Sequence, residues 1–211
     1  MSFLNHIKVE LFFFLIIFLK ILISNKVDNG IYSFLFDSIY GSNNIYFKEF
    51  FINITELGDS VWYFGLSFIF LLIFILNKYF NIIIIKESKT IINFFISFII
   101  YLIIVGLLTQ IIKHLVGRPR PNYANDFDGL FFLNLDSSFH SFPSGHSSTI
   151  FMVCLIMCAI LPKLKYYFFA IASVIALSRV FVGAHFISDV VSGGLLSLIV
   201  FKILNTIISK I

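Results

Sequence analysis

The stretch IINFFISFIIYLIIVGLLTQII, residues 91–112, carries no charge along its whole length and runs straight into KHLVGRPRP, residues 113–121. At about 1.5 Å per residue, an apolar run of this size crosses the roughly 30 Å hydrocarbon core of a bilayer as a helix. Its end crowds cations and prolines onto the membrane surface. Working outward, five further apolar runs appear at residues 7–24, 61–76, 148–161, 166–182 and 190–208. The run at 148–161 is short and starts polar. The first has Lys8 before Leu11–Leu19 but no small-x-small cleavage site after it, so it reads as a retained helix. Lys20 interrupts that run and can snorkel to an interface.

Composition agrees. Of 211 residues, 59% are hydrophobic and 12% charged, with a mean hydropathy of +1.00. Soluble domains carry about 25% charged residues. A soluble globular enzyme and a disordered chain are therefore excluded, and the runs lack the alternation of a membrane barrel. The expectation is an all-α integral membrane protein, a single domain over 1–211 with six transmembrane helices in a bundle. The net charge of +4 forms no basic stripe, so it reads as membrane topology and not as nucleic-acid binding. Cys154 and Cys158 lie four apart on one apolar helix face and read as packing residues.

Lysine bias orients the bundle. With both termini cytoplasmic, Lys8, Lys78, Lys86, Lys89, Lys163, Lys165, Lys202 and Lys210 lie inside, with Glu10 and Glu87. The other nine acids and all three arginines, Arg118, Arg120 and Arg179, lie outside. The positive-inside rule favours this arrangement. Short loops and the lack of a targeting segment suit a bacterial inner membrane, with the outer ends facing the periplasm. Two outer connections are long. In residues 25–60, Ile31, Phe34, Leu35 and Ile39 recur at helical spacing, compatible with an interfacial helix or with a loop packed on the bundle. Residues 113–147 mix Pro, Gly, Asn and Asp with aromatics.

Polar residues at a membrane boundary are costly and ask for a function. Lys113 closes one helix and Gly117 supplies its stop. Pro119 and Pro121 stiffen the chain around Arg120. Ser144-Gly145-His146 opens the next helix after Pro143, where free N–H groups and the positive dipole end favour an anion. Ser178-Arg179 ends another helix, and His185 precedes the last, with Asp189 four residues on and on the same face. With six spans all four clusters face the outer side and can meet. Arginine forks match phosphate oxygens, histidine is a covalent nucleophile and Asp189 can orient it. Phosphoryl transfer needs little beyond such positioning and charge stabilisation.

The series Lys-x6-Arg-Pro, Pro-Ser-Gly-His and Ser-Arg-x5-His-x3-Asp, complete at Lys113 to Pro121, Pro143 to His146 and Ser178 to Asp189, resembles the type 2 phosphatidic-acid phosphatase family. The resemblance implies that His185 attacks phosphorus to form a phosphohistidine, that Asp189 holds and polarises it, and that His146 protonates the leaving oxygen. Lys113, Arg120, Arg179, Ser144 and the Gly145 N–H would bind the phosphate oxygens, with no metal or cofactor. The implied partner is a phosphorylated membrane lipid: undecaprenyl pyrophosphate, phosphatidic acid, phosphatidylglycerol phosphate or a lipid A phosphate. Residues 55–63, beginning Thr55-Glu56-Leu57-Gly58, are loosely similar to the start of the second helix in some bacterial members, lipid A phosphatase relatives included. A non-catalytic lipid carrier and a lipid-to-lipid phosphotransferase are the alternatives. Arg118 reads equally as an interfacial contact or an auxiliary phosphate contact. His114 reads as a surface residue and His140 as part of the loop. Asp126, Asp128 and Asp136 read as solvating the loop or its entrance, and Gly193 and Gly194, with Ser192 and Ser197, as a close helix contact.

Overall fold

In the computed structural model, the structure describes residues 7–40, 45–80, 88–123 and 129–208. His6, Lys86, Asp126, Asp128 and Lys210 lie outside the described residues. The described chain is all helical. In order come α1 (Lys8–Ile23), α2 (Lys26–Tyr40), α3 (Ile45–Thr55), α4 (Ser60–Phe80), α5 (Ser88–Val116), α6 (Gly145–Ile160), α7 (Lys165–Phe181) and α8 (Ile187–Ile208). No strand occurs among the described residues; one isolated bridge joins Arg118 to His140.

Among the described residues, four helical stretches are long and apolar enough to cross a membrane: Ser60–Phe80, Lys89–Val116, Pro162–Phe181 and Ile187–Ile207. The remaining two apolar runs form 16-residue helices, α1 and α6. The observed helices overrun several sequence boundaries. Helix α5 continues past residue 112 through Lys113 to Val116, because only Gly117, at φ +58°, ends it. A β-carbon there would sit 1.7 Å from the Phe131 carbonyl oxygen, so that turn demands glycine. Helix α6 starts at Gly145, capped by the Ser144 side chain, which accepts from the Ser147 N–H.

Helix α6 is the centre of the bundle, packed against α5, α7 and α8. Phe98, Leu102 and Val105 of α5 meet Met152 and Ile156 of α6 and Leu196 and Val200 of α8 in one core. Ile150 and Cys154 meet Ala172, Ile175, Ala176 and Val180 of α7 in a second. Cys154 thus packs as expected, and Cys158 lies 4.0 Å from it, both as free thiols. Helix α4 covers α5, and α1 lies against α8. Outward faces stay apolar, with Phe68 64% and Leu107 59% exposed. Such a surface is compatible with lipid and not with water.

Residues 25–60 are mainly two helices, α2 and α3, which pack against α7. Of the two sequence readings, the helical one fits, although the segment is also anchored: Asp28 is only 1% exposed, and Phe51 packs at a tilt against Phe181 with ring centroids 4.4 Å apart.

Close helix contact depends on small residues. Ser197 Oγ donates to the Ser148 carbonyl at 2.6 Å across the α6–α8 interface. A β-carbon on Gly193 would meet Ser147 Cβ at 2.9 Å, and one on Gly194 would meet the Phe151 ring at 3.1 Å. The glycine pair therefore has the packing role read from the sequence.

Candidate active site

Four helix ends converge as their polar residues required. The α5 end supplies Lys113, whose Nζ donates to the His140 carbonyl at 2.5 Å. The α6 start supplies Ser144, Gly145 and His146, and the Ser144 N–H donates to the Asp189 carbonyl at 3.0 Å. The α7 end supplies Arg179, whose carbonyl accepts from the Ala184 and His185 N–H groups at 3.0 and 3.2 Å. This turn folds His185 back beside α8. Lys113, Arg120 and Arg179 are close enough to repel one another, so three cations share one small volume. Such an arrangement stores unfavourable charge that an anion relieves.

Gly145 matters by omission. A β-carbon there would meet only Lys113 Cε at 3.9 Å and Thr109 Cγ2 at 4.0 Å. The space over the α6 N-terminus is therefore open toward the lysine. Its orphan N–H groups and the positive end of the helix dipole face that space.

His185 is 2% exposed, and its Nδ1 lies 3.8 Å from Asp189 Oδ2. That is ion-pair range and too long for a hydrogen bond. Among the described residues Nδ1 has no hydrogen-bond partner. Burial pushes the His185 imidazole down to about 3, with Asp189 opposing and Lys113 and Arg179 reinforcing. The ring is therefore neutral near neutral pH, with a lone pair available on one nitrogen. Asp189 is fully held. Its Oδ2 accepts from Ser141 Oγ at 2.6 Å and from the Phe186 N–H at 2.9 Å, and its Oδ1 accepts from Arg118 Nη1 at 2.5 Å.

A cleft of about 430 Å³ reaches Gly145 and His146 from between α4, α5 and α6. Asp59, Ser60 and Gln110 line it near His146, while Phe64, Leu102, Ile103 and Leu107 line the remainder. Its lining is therefore part polar and part apolar.

Arg118 departs from both of its sequence readings. It is 0% exposed and both of its terminal nitrogens are taken up by protein groups, so it is not an interfacial contact and has no free terminal nitrogen for phosphate. Its Nη2 pairs with Asp28 Oδ2 at 2.8 Å and with Asn25 Oδ1 at 2.9 Å, and its Nη1 also reaches Ser188 Oγ at 2.8 Å. The guanidinium lies 4.3 Å from the Phe186 ring centroid. His140 has the loop role expected, its ring bonded to the Asn134 carbonyl at 2.9 Å and tilted against the His114 ring with centroids 4.3 Å apart. Asp136 caps the turn Ser137–Phe139 through the Ser138 N–H, and that bond holds its carboxyl below the usual range.

Sequence reading missed Asp28, Asn25, Ser141, Thr55 and Gly58. Thr55 Oγ1 accepts from Arg179 Nη1 at 2.9 Å, and a β-carbon on Gly58 would press on His146 Cβ at 3.1 Å. The loose similarity of residues 55–63 was the one signal that pointed to them.

Comparison with known proteins follows this geometry. The chain is 38% identical over 90 residues to the lipid A 1-phosphatase of Rhizobium johnstonii, covering 42% of this chain and 37% of that protein. It is 35% identical over 116 residues to phosphatidylglycerophosphatase B of Bacillus subtilis, covering 50% and 53%. The matched region thus spans less than two thirds of either curated relative. The crystal structure of a transmembrane PAP2 type phosphatidylglycerolphosphate phosphatase from Bacillus subtilis superposes with a TM-score of 0.69 at 25% identity, over 98% of this chain and 97% of that one. A family model for the PAP2 superfamily matches residues 94–211, more than half of the chain and every residue of the four converging helix ends. Sequence, fold and the gathered motifs therefore agree that this chain belongs to the PAP2 superfamily.

Proposed function

We propose that the protein is a metal-independent lipid phosphate phosphatase of an inner membrane, with six spans, cytoplasmic termini and an active site at the periplasmic ends of the helices. The observation that carries this reading is the meeting of three cations and the open α6 N-terminus with a neutral, buried His185 backed by Asp189. A carrier needs the cradle but not the oriented nucleophile.

His185 attacks phosphorus through Nε2 as the bond from phosphorus to the lipid oxygen breaks. His146 gives that oxygen its proton. Lys113, Arg120, Arg179, Ser144 Oγ and the Gly145 N–H hold the phosphoryl oxygens and supply the positive charge the transition state requires. Asp189 steadies the imidazolium once the 3.8 Å gap to Nδ1 closes around substrate. Water then attacks the phosphohistidine and His146 takes a proton from it. The nitrogen–phosphorus bond breaks, inorganic phosphate leaves and His185 returns to neutral. The cleft past Phe64, Leu102 and Leu107 accommodates an acyl or prenyl tail while the headgroup stays at His146.

The names of the relatives set the lipids to try first: a lipid A 1-phosphate and phosphatidylglycerol phosphate, beside phosphatidic acid and undecaprenyl pyrophosphate. The test is phosphate release from this panel by purified protein in detergent with EDTA, wild type beside His185→Ala. Release by wild type and none by the variant is expected. Release by the variant at the wild-type rate overturns the reading, and equal rates on all four lipids defeat any narrow substrate.

A further inference from the structure

Asp28 sits near the start of α2, far in sequence from every motif, yet its side chain is 2% exposed. It takes three contacts on Oδ2: Arg118 Nη2 at 2.8 Å, Ser188 Oγ at 2.7 Å and Lys20 Nζ at 2.9 Å. Arg118 in turn reaches Asp189 Oδ1 at 2.5 Å. One guanidinium therefore bridges two buried carboxylates, and the second of these faces His185. The charges matter because all of them are out of water, where screening is weak.

Arg118 alone with Asp189 makes a neutral pair. A neutral pair stabilises an imidazolium poorly, and Lys113 and Arg179 already oppose positive charge on His185. Adding Asp28 leaves the triplet Asp28–Arg118–Asp189 with one net negative charge. Lys20 offsets only part of it, since its side chain is 35% exposed and solvent screens its charge more than those of the three buried groups. We propose that Asp28 is a positioning residue for the reaction: it neutralises Arg118, so that Asp189 keeps its negative charge for the cation that forms on His185. The proposal rests on the phosphatase reading above. It also gives α2 a task beyond packing, since Asn25 and Asp28 bring its N-terminal end onto the nucleophile's partner.

Charge and shape are separable here. Asp28→Asn keeps the size and one oxygen to accept hydrogen bonds, and removes the charge. Asp28→Asn with Arg118→Gln removes both charges and returns the net negative charge to Asp189. The probes are orthovanadate, which bonds to a nucleophile as a five-coordinate phosphoryl mimic, and inorganic phosphate, which needs only the cradle. Calorimetry on the purified full chain in detergent reads both without turnover, and kcat and KM on the best lipid read the reaction.

The single variant is expected to lose vanadate affinity and kcat by on the order of ten- to a hundredfold, with KM and phosphate affinity changed by less than about twofold. The double variant recovers much of the loss. Equal weakening of both anions, no weakening of either, or a double variant no better than the single one overturns the proposal. Where the single variant does not fold, the double variant and wild type still decide: the double must keep the preference for vanadate over phosphate. Wild type that prefers vanadate but hydrolyses no lipid phosphate sinks the phosphatase reading alone. Wild type that hydrolyses lipid while Asp28→Asn matches it in every measurement sinks the Asp28 proposal alone.

Discussion

Gly193 of α8 lies against the backbone of Ser144, so closely that a β-carbon would stand 2.6 Å from the Ser144 carbonyl oxygen. The same two elements are tied by the Ser144 N–H to Asp189 carbonyl bond. The N-terminal end of α6 is therefore seated directly on the helix that carries Asp189. Gly193→Ala must push the two apart, and overpacking of this kind costs about 1–3 kcal/mol. The expected outcome is a lower unfolding midpoint in detergent together with loss of phosphate release. A fully active, equally stable variant contradicts the contact.

Arg118 is the buried counter-ion of two carboxylates, with both terminal nitrogens engaged by protein groups. Arg118→Gln takes the cation away from the fully buried Asp189 and leaves Asp28 with only the partly exposed Lys20, and breaking comparable buried pairs costs about 3–5 kcal/mol. Adding Asp28→Asn removes one of the stranded charges and restores part of the stability. Chemical or thermal unfolding of the two variants beside wild type checks the order. Were Arg118 a phosphate ligand, the single variant would instead raise KM without a stability loss.

The residues that carry the proposed chemistry were legible because an apolar chain makes polar helix ends conspicuous. Lys113, His146, Arg179 and His185 all stand at or beside such ends. The helix lengths were less legible. Asn77 and Lys78 look like an end to α4, yet the helix runs on to Phe80. Asp28 was not legible at all. An acid in a mixed loop reads as solvation, and only the reach of Arg118 across 90 residues buries it. Arg118 itself was hidden by its neighbour: two arginines flank Pro119, and nothing local says that Arg118 turns inward to Asp189 while Arg120 Nε bonds the Ser137 carbonyl at 3.1 Å.

Thr55 orients Arg179 through a bond of 2.9 Å to a charged donor. Bonds of this type contribute about 1.5–3 kcal/mol when shielded. Thr55→Val keeps the shape and frees the guanidinium. The expected result is a KM raised by about three- to tenfold, in line with loss of part of such a bond, with kcat less affected. Steady-state kinetics on one lipid phosphate decide it, and an unchanged KM removes Thr55 from the site.

His146 lines the cleft and lies close against Gly58, where an added β-carbon would stand 3.1 Å from His146 Cβ. If it protonates the leaving oxygen, its loss matters in proportion to how poor the leaving group is. His146→Gln should slow release from an alkyl lipid phosphate by about 10²–10⁴-fold, and release from a p-nitrophenyl phosphate far less. Equal losses on both esters assign His146 to binding instead. Gly58→Ala, which crowds the ring without touching its chemistry, should fall between the variant and wild type on the lipid substrate.

Burial of His185 also sets the acid stability of the fold. Its imidazole is held at about 3, against an ordinary value of 6.5, chiefly by loss of water and against the pull of Asp189. Above pH 6.5 neither the folded nor the unfolded ring is protonated, and the group contributes nothing to the pH dependence. Below 6.5 the unfolded chain takes up a proton that the folded one refuses, so stability falls with pH down to about 3. The slope from this one group is at most about 1.4 kcal/mol per pH unit. His185→Gln abolishes the term while keeping a side chain of similar length. Unfolding midpoints at pH 7.5, 6 and 5 should therefore converge: wild type loses more than the variant at each step. Parallel curves for the two proteins would show that His185 is as free to protonate in the fold as it is outside it.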